Sequence, residues 1–118
     1  MGGGQNTNFD NSVSVDIKEM SLAAGSHILD LDRNANFKLT LSGNITIANP
    51  ANLTAGTTGS IFVVQDGTGS RTASFGTSWD FIGGTAPTLT TAASSVDRID
   101  YIVLDSTNIH AVATLAYS

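Results

Sequence analysis

Gln65-Asp66-Gly67-Thr68-Gly69-Ser70-Arg71-Thr72, followed by Trp79-Asp80-Phe81 and Gly83-Gly84-Thr85-Ala86-Pro87-Thr88-Leu89, decides the fold class. A strand ends at Gln65, glycines turn the chain, and β-favouring residues return from Arg71 to Phe75. Asp66-Gly67 is a favoured pair for a tight hairpin turn, because such turns need residues that accept positive φ. Gly83-Gly84 and Pro87 then make a corner. Gly67-Thr68-Gly69 is not read as a phosphate cradle, because that use needs a helix N-terminus directly after the glycines.

Working outward, the period stays at two. Val13, Val15 and Ile17 alternate with Ser14 and Asp16, and Phe37, Leu39 and Leu41 with Lys38, Thr40 and Ser42. Such alternation marks half-buried strands. Ile45 and Ile47 resume it after Ser42-Gly43-Asn44, so residues 36–48 read as a hairpin or as one strand bulged at Gly43. Ile61-Phe62-Val63-Val64 is a continuous apolar run, expected of a strand covered on both faces. Ile99, Tyr101 and Val103 form a further strand, Ser106-Thr107-Asn108 turns the chain, and Ile109, Ala111, Ala113 and Leu115 form the last. Residues 17–24 fit either a short helix or a strand. The expectation is an all-β, single-domain antiparallel sandwich or barrel, jelly-roll-like, over residues 13–118. Residues 1–12 are expected to form a flexible N-terminal arm with Phe9 as its one apolar anchor.

Composition narrows the function. The chain has 118 residues, a net charge of −5 and no cysteine, and only 13% of its residues are charged. Lys18, Arg33, Lys38, Arg71 and Arg98 are scattered, which argues against nucleic-acid binding, since phosphate contacts need clustered cations. The lack of cysteine excludes disulfides, thiolate metal sites and thiol catalysis. No basic-then-apolar leader pattern and no membrane-length apolar run occurs, so no membrane partner is expected.

Candidate chemistry is sparse. Asp30, Asp32, Asn34 and Asn36 alternate like a calcium loop, but Ala35 and Leu41 occupy the places where that loop needs Gly and Glu. His27 and His110, the only two histidines, are not paired by spacing. Asp80, Asp97, Asp100 and Asp105 are the carboxylates that folding would have to bring together for glycoside cleavage. Asn44-Ile45-Thr46 and Asn52-Leu53-Thr54 match a glycosylation pattern that Thr-rich chains produce by chance. Trp79, Phe75, Phe81 and Tyr101 offer either a sugar-stacking platform or core packing, and packing is expected for Trp79 and Phe81. No catalytic residue, metal site or cofactor is expected, and the chain is read as a non-enzyme.

Residues 36 to about 116 resemble a β-domain of bacteriophage virion proteins, found in capsid decoration (cement), head-fibre and tail-fibre proteins. Gly43-Asn44-Ile45-Thr46, Asn49-Pro50-Ala51-Asn52-Leu53, Ala55-Gly56-Thr57-Thr58-Gly59, Gln65 to Thr72, Trp79, Gly83 to Leu89 and Val96-Asp97 carry the resemblance in that order. The resemblance implies a late structural protein of the virion, a sandwich-like fold and a homotrimer, and it transfers no catalytic residue. Two roles compete. The chain as given has only a short arm ahead of its β-domain and no shaft of repeats, which favours a decoration protein on the outer capsid surface. There it would bind the major capsid protein at capsomer junctions and stabilise the mature head, with Phe9, Val13 and Val15 of the arm as anchors. The alternative is a receptor-binding or tip domain of a tail or head fibre. In either case synthesis is expected in the host cytoplasm.

Overall fold

A computed structural model describes residues 16–117. The arm expected over residues 1–12, and the anchors Phe9, Val13 and Val15, lie outside the described residues.

The order of elements is β1 (Ile17–Leu22), β2 (Gly25–His27), β3 (Asn36–Leu41), β4 (Ile45–Ile47), β5 (Thr58–Gln65), β6 (Ala73–Phe75), β7 (Trp79–Phe81), a single 3-10 turn (Ile82–Gly84), β8 (Val96–Asp105) and β9 (Asn108–Tyr117). A six-stranded sheet runs β1-β3-β5-β8-β9-β7, and a three-stranded sheet runs β2-β4-β6. Both sheets grow together. The chain passes through the large sheet as β1, turns a corner, passes through the small sheet as β2, and repeats the circuit as β3–β4 and then β5–β6.

Successive circuits stack in parallel. Phe37 stands opposite Lys18 on one side and Ile61 on the other, and Leu39 stands between Met20 and Val63. In the small sheet Ile45 lies between Gly25 and Ala73, and Ile47 between His27 and Phe75. The stacking continues past the small sheet, where Asp30 bridges Ala51. Inward-facing residues therefore form columns, Phe37, Leu39, Leu41, Ile61 and Val63 from one sheet and Ile45 and Ile47 from the other, and Leu29, Leu31 and Trp79 belong to the same core. Full burial of each such aliphatic side chain contributes about 1.5–3 kcal/mol. Among the described residues Lys18 stands at the end of the column of Phe37 and Ile61, and it is exposed. An inward-pointing charge on an edge strand discourages uncontrolled pairing there.

The final two strands close the stack by reversing direction. β8 pairs antiparallel with β5, and β9 antiparallel with β8. The all-β, single-domain expectation is met. The antiparallel pairing expected of it holds for β5, β8 and β9, whereas every other pair is parallel and no barrel closes. The physical reason is that alternation reports which face is buried and carries no information on the direction of the neighbour. Residues 36–48 form neither a hairpin nor one bulged strand, and Asp66-Gly67 turns no hairpin: β3 and β4, like β5 and β6, belong to different sheets, so Ser42–Asn44 and residues 66–72 are corners. Residues 17–22 resolve as strand.

Corners and the start of the β3–β5 ladder leave backbone amides without ladder partners, and asparagine side chains supply them. Asn36 Oδ1 accepts from the Ser60 amide (2.9 Å), Asn44 Oδ1 from the Thr72 amide (3.0 Å) and Asn49 Oδ1 from the Ser78 amide (2.7 Å). In each case a second-circuit side chain takes a third-circuit N–H. Close stacking also requires glycine at Gly43, where a Cβ would lie 2.6 Å from the Ala24 nitrogen.

Two buried polar side chains fasten the later loops. Gln65 donates to the carbonyls of Arg71 (2.8 Å) and Thr90 (3.0 Å) and accepts from the Arg71 amide (3.0 Å). Asp97 accepts from the amides of Thr90 (2.7 Å) and Ala116 (2.8 Å), the latter beside a bulge in the β8–β9 ladder. Asp66 folds the 66–71 loop on itself: it accepts from the Thr68 and Gly69 amides (both 3.1 Å) and pairs with Arg71 (3.0 Å). At the β8–β9 tip, Asp105 accepts from the Thr107 amide and from the Asn108 side chain, both at 2.9 Å.

Replacing Asn49 with alanine should lower stability by about 1–3 kcal/mol, the cost of orphaning a buried donor. The orphan is the amide of Ser78, a residue 8% exposed. Urea denaturation checks this, and an unchanged midpoint would contradict the role given to the corner asparagines. Acid should also weaken the fold. The Arg71 side chain holds the Asp66 carboxyl below the ordinary carboxylate range, as the Thr107 amide does for Asp105. Their stabilisation is therefore complete above the ordinary value of 3.8 and disappears as pH falls below it. The double variant Asp66→Asn, Asp105→Asn should show a flatter decline of stability below pH 3.8 than the parent chain. Superimposable acid limbs would contradict it.

Candidate functional site

The three strands at the closing end of the large sheet present an unusual outer face. Alternation along β8 turns Asp97, Ile99, Tyr101 and Val103 inward and should leave polar residues outside. Instead Ile102 and Leu104 project outward, 51% and 55% exposed. Val112 of β9 is 44% exposed, and Ile82, carried beyond β7 by the 3-10 turn, is 82% exposed. Together they give a surface where isolated apolar residues would be ordinary but a cluster marks a contact site.

Register gathers polar groups among these side chains. Asp80 stands opposite His110, His110 opposite Ile102, and Asp100 opposite Val112. The depression they form, with a volume of about 720 Å³, is lined by Thr58, Asp80, Ile82, Asp100, Ile102 and His110 among others. Asp100 is engaged by its own neighbours, accepting from Ser60 Oγ (2.6 Å) and from Arg98 Nε (3.1 Å). Asp80 and His110 provide an acceptor and a ring donor or acceptor on an aliphatic surface. That arrangement suits binding by apolar contact, with a few hydrogen bonds to fix orientation.

The residues singled out from sequence are distributed as follows. Trp79 is buried, with Nε1 donating to the Ala48 carbonyl at 3.1 Å. It packs edge-on against Phe75 and Tyr101, and Phe75 packs likewise on Phe81. These rings are consumed by packing and leave no stacking platform at Trp79. Tyr101 donates its hydroxyl to the Ala35 carbonyl at 2.6 Å, and burial pushes its phenol up to about 12, so it keeps its proton at neutral pH. Asp66, Gly67 and Gly69 form the self-bonded loop described above, with the amides of Thr68 and Gly69 already occupied by Asp66.

Of the four candidate carboxylates, Asp80 and Asp100 line the same depression, and the other two lie elsewhere. Asp97 is buried and holds two amides, Asp105 holds the hairpin tip, Asp100 pairs with Arg98, and Asp80 alone is outward and unpaired among the described residues. His27 donates Nε2 to the Ala23 carbonyl (2.7 Å) in the small sheet, away from His110 in the large one. Among the described residues no group of three or more histidine and carboxylate side chains is placed to hold a metal ion. Asp30 lies against the Asn52 side chain (2.8 Å) in the loop once compared with a calcium site. The outward aliphatic residues were missed by sequence reasoning. Their signal was Ile102 and Leu104, apolar at positions where the period calls for polar ones.

Comparison with known proteins locates this architecture. The family model described as "Putative phage tail fibre C-terminal domain" matches residues 30–108, more than half of the chain. The match spans the second and third circuits and the closing strand β8, and ends at the first residue of β9. No curated protein and no solved structure matches the chain. The chain belongs to this phage tail fibre C-terminal domain family, and it is a structural protein associated with the phage virion.

Proposed function

We propose that this domain is a host-contacting, terminal part of a phage tail fibre, and that the outer face of β8, β9 and β7 is its contact surface. The observation that carries the reading is the family match over residues 30–108. The exposed cluster of Ile82, Ile102 and Val112 around Asp80 and His110 supports it. Strands hold Asp80, Ile102 and His110 in place, so little conformational freedom of these backbones is lost when a surface is bound. Several copies on one fibre would raise the effective concentration, so weak individual contacts suffice. The family match favours this fibre role over decoration of the outer capsid surface.

The isolated chain should adsorb saturably to host bacteria and compete with phage for them. The double variant Ile82→Asp, Ile102→Asp should bind on the order of tenfold more weakly or worse, since each tenfold is about 1.4 kcal/mol. Both positions are exposed, so its thermal midpoint should stay close to that of the parent. Adsorption that fails for the parent chain, or equal adsorption by the variant, would overturn the reading.

A further inference from the structure

The strand β9 is ten residues long, but β7 covers only Ile109, His110 and Ala111 on the side away from β8. After Phe81 the 3-10 turn carries the chain off the sheet. Among the described residues no strand pairs with Val112–Tyr117 on that side. This leaves a row of backbone donors and acceptors open at a sheet edge, the template on which another strand can add. A bulge at Leu115–Ala116, with Ala116 at φ 60°, interrupts this edge near its end, and Val112–Thr114 is its regular stretch. The edge carries no charged side chain from Val112 to Tyr117, and Val112, Leu115 and Tyr117 are exposed apolar residues. Beside it runs a cleft of about 290 Å³ between β9 and the loop that follows β7, lined by Phe81, Ile82, Thr85, Pro87 and residues 111–113. An added strand would therefore meet both a hydrogen-bonding edge and an apolar slot for alternate side chains.

The chain contains a segment of matching chemistry. Val13-Ser14-Val15 lies among residues 1–15, outside the described residues and directly ahead of β1. Its alternation gives one apolar face and one small polar face. Geometry decides whose β9 it reaches. A strand added beyond β9 would lie roughly 24 Å from β1, five strand positions away at about 4.8 Å each. Val13 precedes Ile17 by four residues, and extended chain spans at most about 3.5 Å per residue, or roughly 14 Å. Val13-Ser14-Val15 cannot reach the free edge of its own molecule.

We infer that Val13-Ser14-Val15 of one copy adds as a strand to the Val112–Thr114 edge of β9 in a second copy, joining copies head to tail. Such a contact is heterologous: the donating segment and the accepting edge are different surfaces, and the contact propagates until rotation closes the ring. It concerns the chain's own surfaces and stands independently of where on the virion the protein sits.

The absence of cysteine makes the test direct. The full chain carrying Ser14→Cys is mixed with the full chain carrying Thr114→Cys and treated with a short bis-maleimide. The inference expects inter-chain products in the mixture well above those of either variant alone. It also expects Val13→Asp, Val15→Asp in the Ser14→Cys chain to remove them while the thermal midpoint holds. In light scattering the parent chain should be oligomeric, and the Val13→Asp, Val15→Asp chain should shift to the mass of a monomer. Absence of mixed products, a parent monomer, or mixed products that persist with both aspartates would overturn it. So would a doubly substituted Ser14→Cys, Thr114→Cys chain that links only within itself.

Discussion

Every circuit of this chain must satisfy the backbone amides that its corners take out of the ladders. That requirement governs the rest of the structure. Parallel strands ordinarily need long connections, commonly helices. Here each strand of one sheet serves as the connection between two strands of the other, so the corners are short and stacked. Stacked corners are tight, which is why Gly43 sits over Ala24, and they are polar, which is why Asn36, Asn44 and Asn49 reach up to the circuit above. A buried amide without a partner costs as much as a lost hydrogen bond, and of the three recipients only Ser78 is buried, so this demand falls chiefly on Asn49.

The same logic explains why the exposed apolar surface lies where it does. Among the described residues the first circuit ends the stack with Lys18 at the end of the core column, a charge that keeps that edge in water. The other end is closed by β8 and β9, which run antiparallel and are fastened by Asp97 to both the Thr90 loop and the end of β9. The closing strands have one face on the core and one in solvent. Solvent-facing positions are free of packing demands, and in this chain they hold Ile102, Leu104 and Val112. The molecule thus separates a packed, self-satisfied stack from a surface whose composition folding does not require.

Much of this was legible in the sequence, and the limits have physical causes. Phe37, Leu39, Leu41, Ile99, Tyr101 and Val103 announce their inward direction by alternation, because a strand turns successive side chains to opposite faces, whereas the apolar run Ile61-Phe62-Val63-Val64 does not reveal that only Ile61 and Val63 of the four are fully buried. Strand direction was not legible. Ser42-Gly43-Asn44 serves a hairpin or a corner equally well, and only the partner of Ile45, which is Ala73 and not a residue of β3, distinguishes them. Asp66-Gly67 was read as a turn between paired strands, whereas the Arg71 ion pair and the Gln65 amide make it a loop between sheets. Of the contact surface, Ile102 and Leu104 were visible as breaks in the period. The gathering of Ile102 with Ile82, Asp80 and His110 depends on the parallel β7–β9 pairing, a contact between distant segments that no local pattern encodes.

The central claim, that this is a fibre domain working at the host surface, is tested most directly by locating the protein on an intact particle. Electron microscopy of virions decorated with an antibody fragment against this chain provides that location. The account requires the label at the free ends of tail fibres. Label distributed over the head shell, with bare fibres, would contradict it.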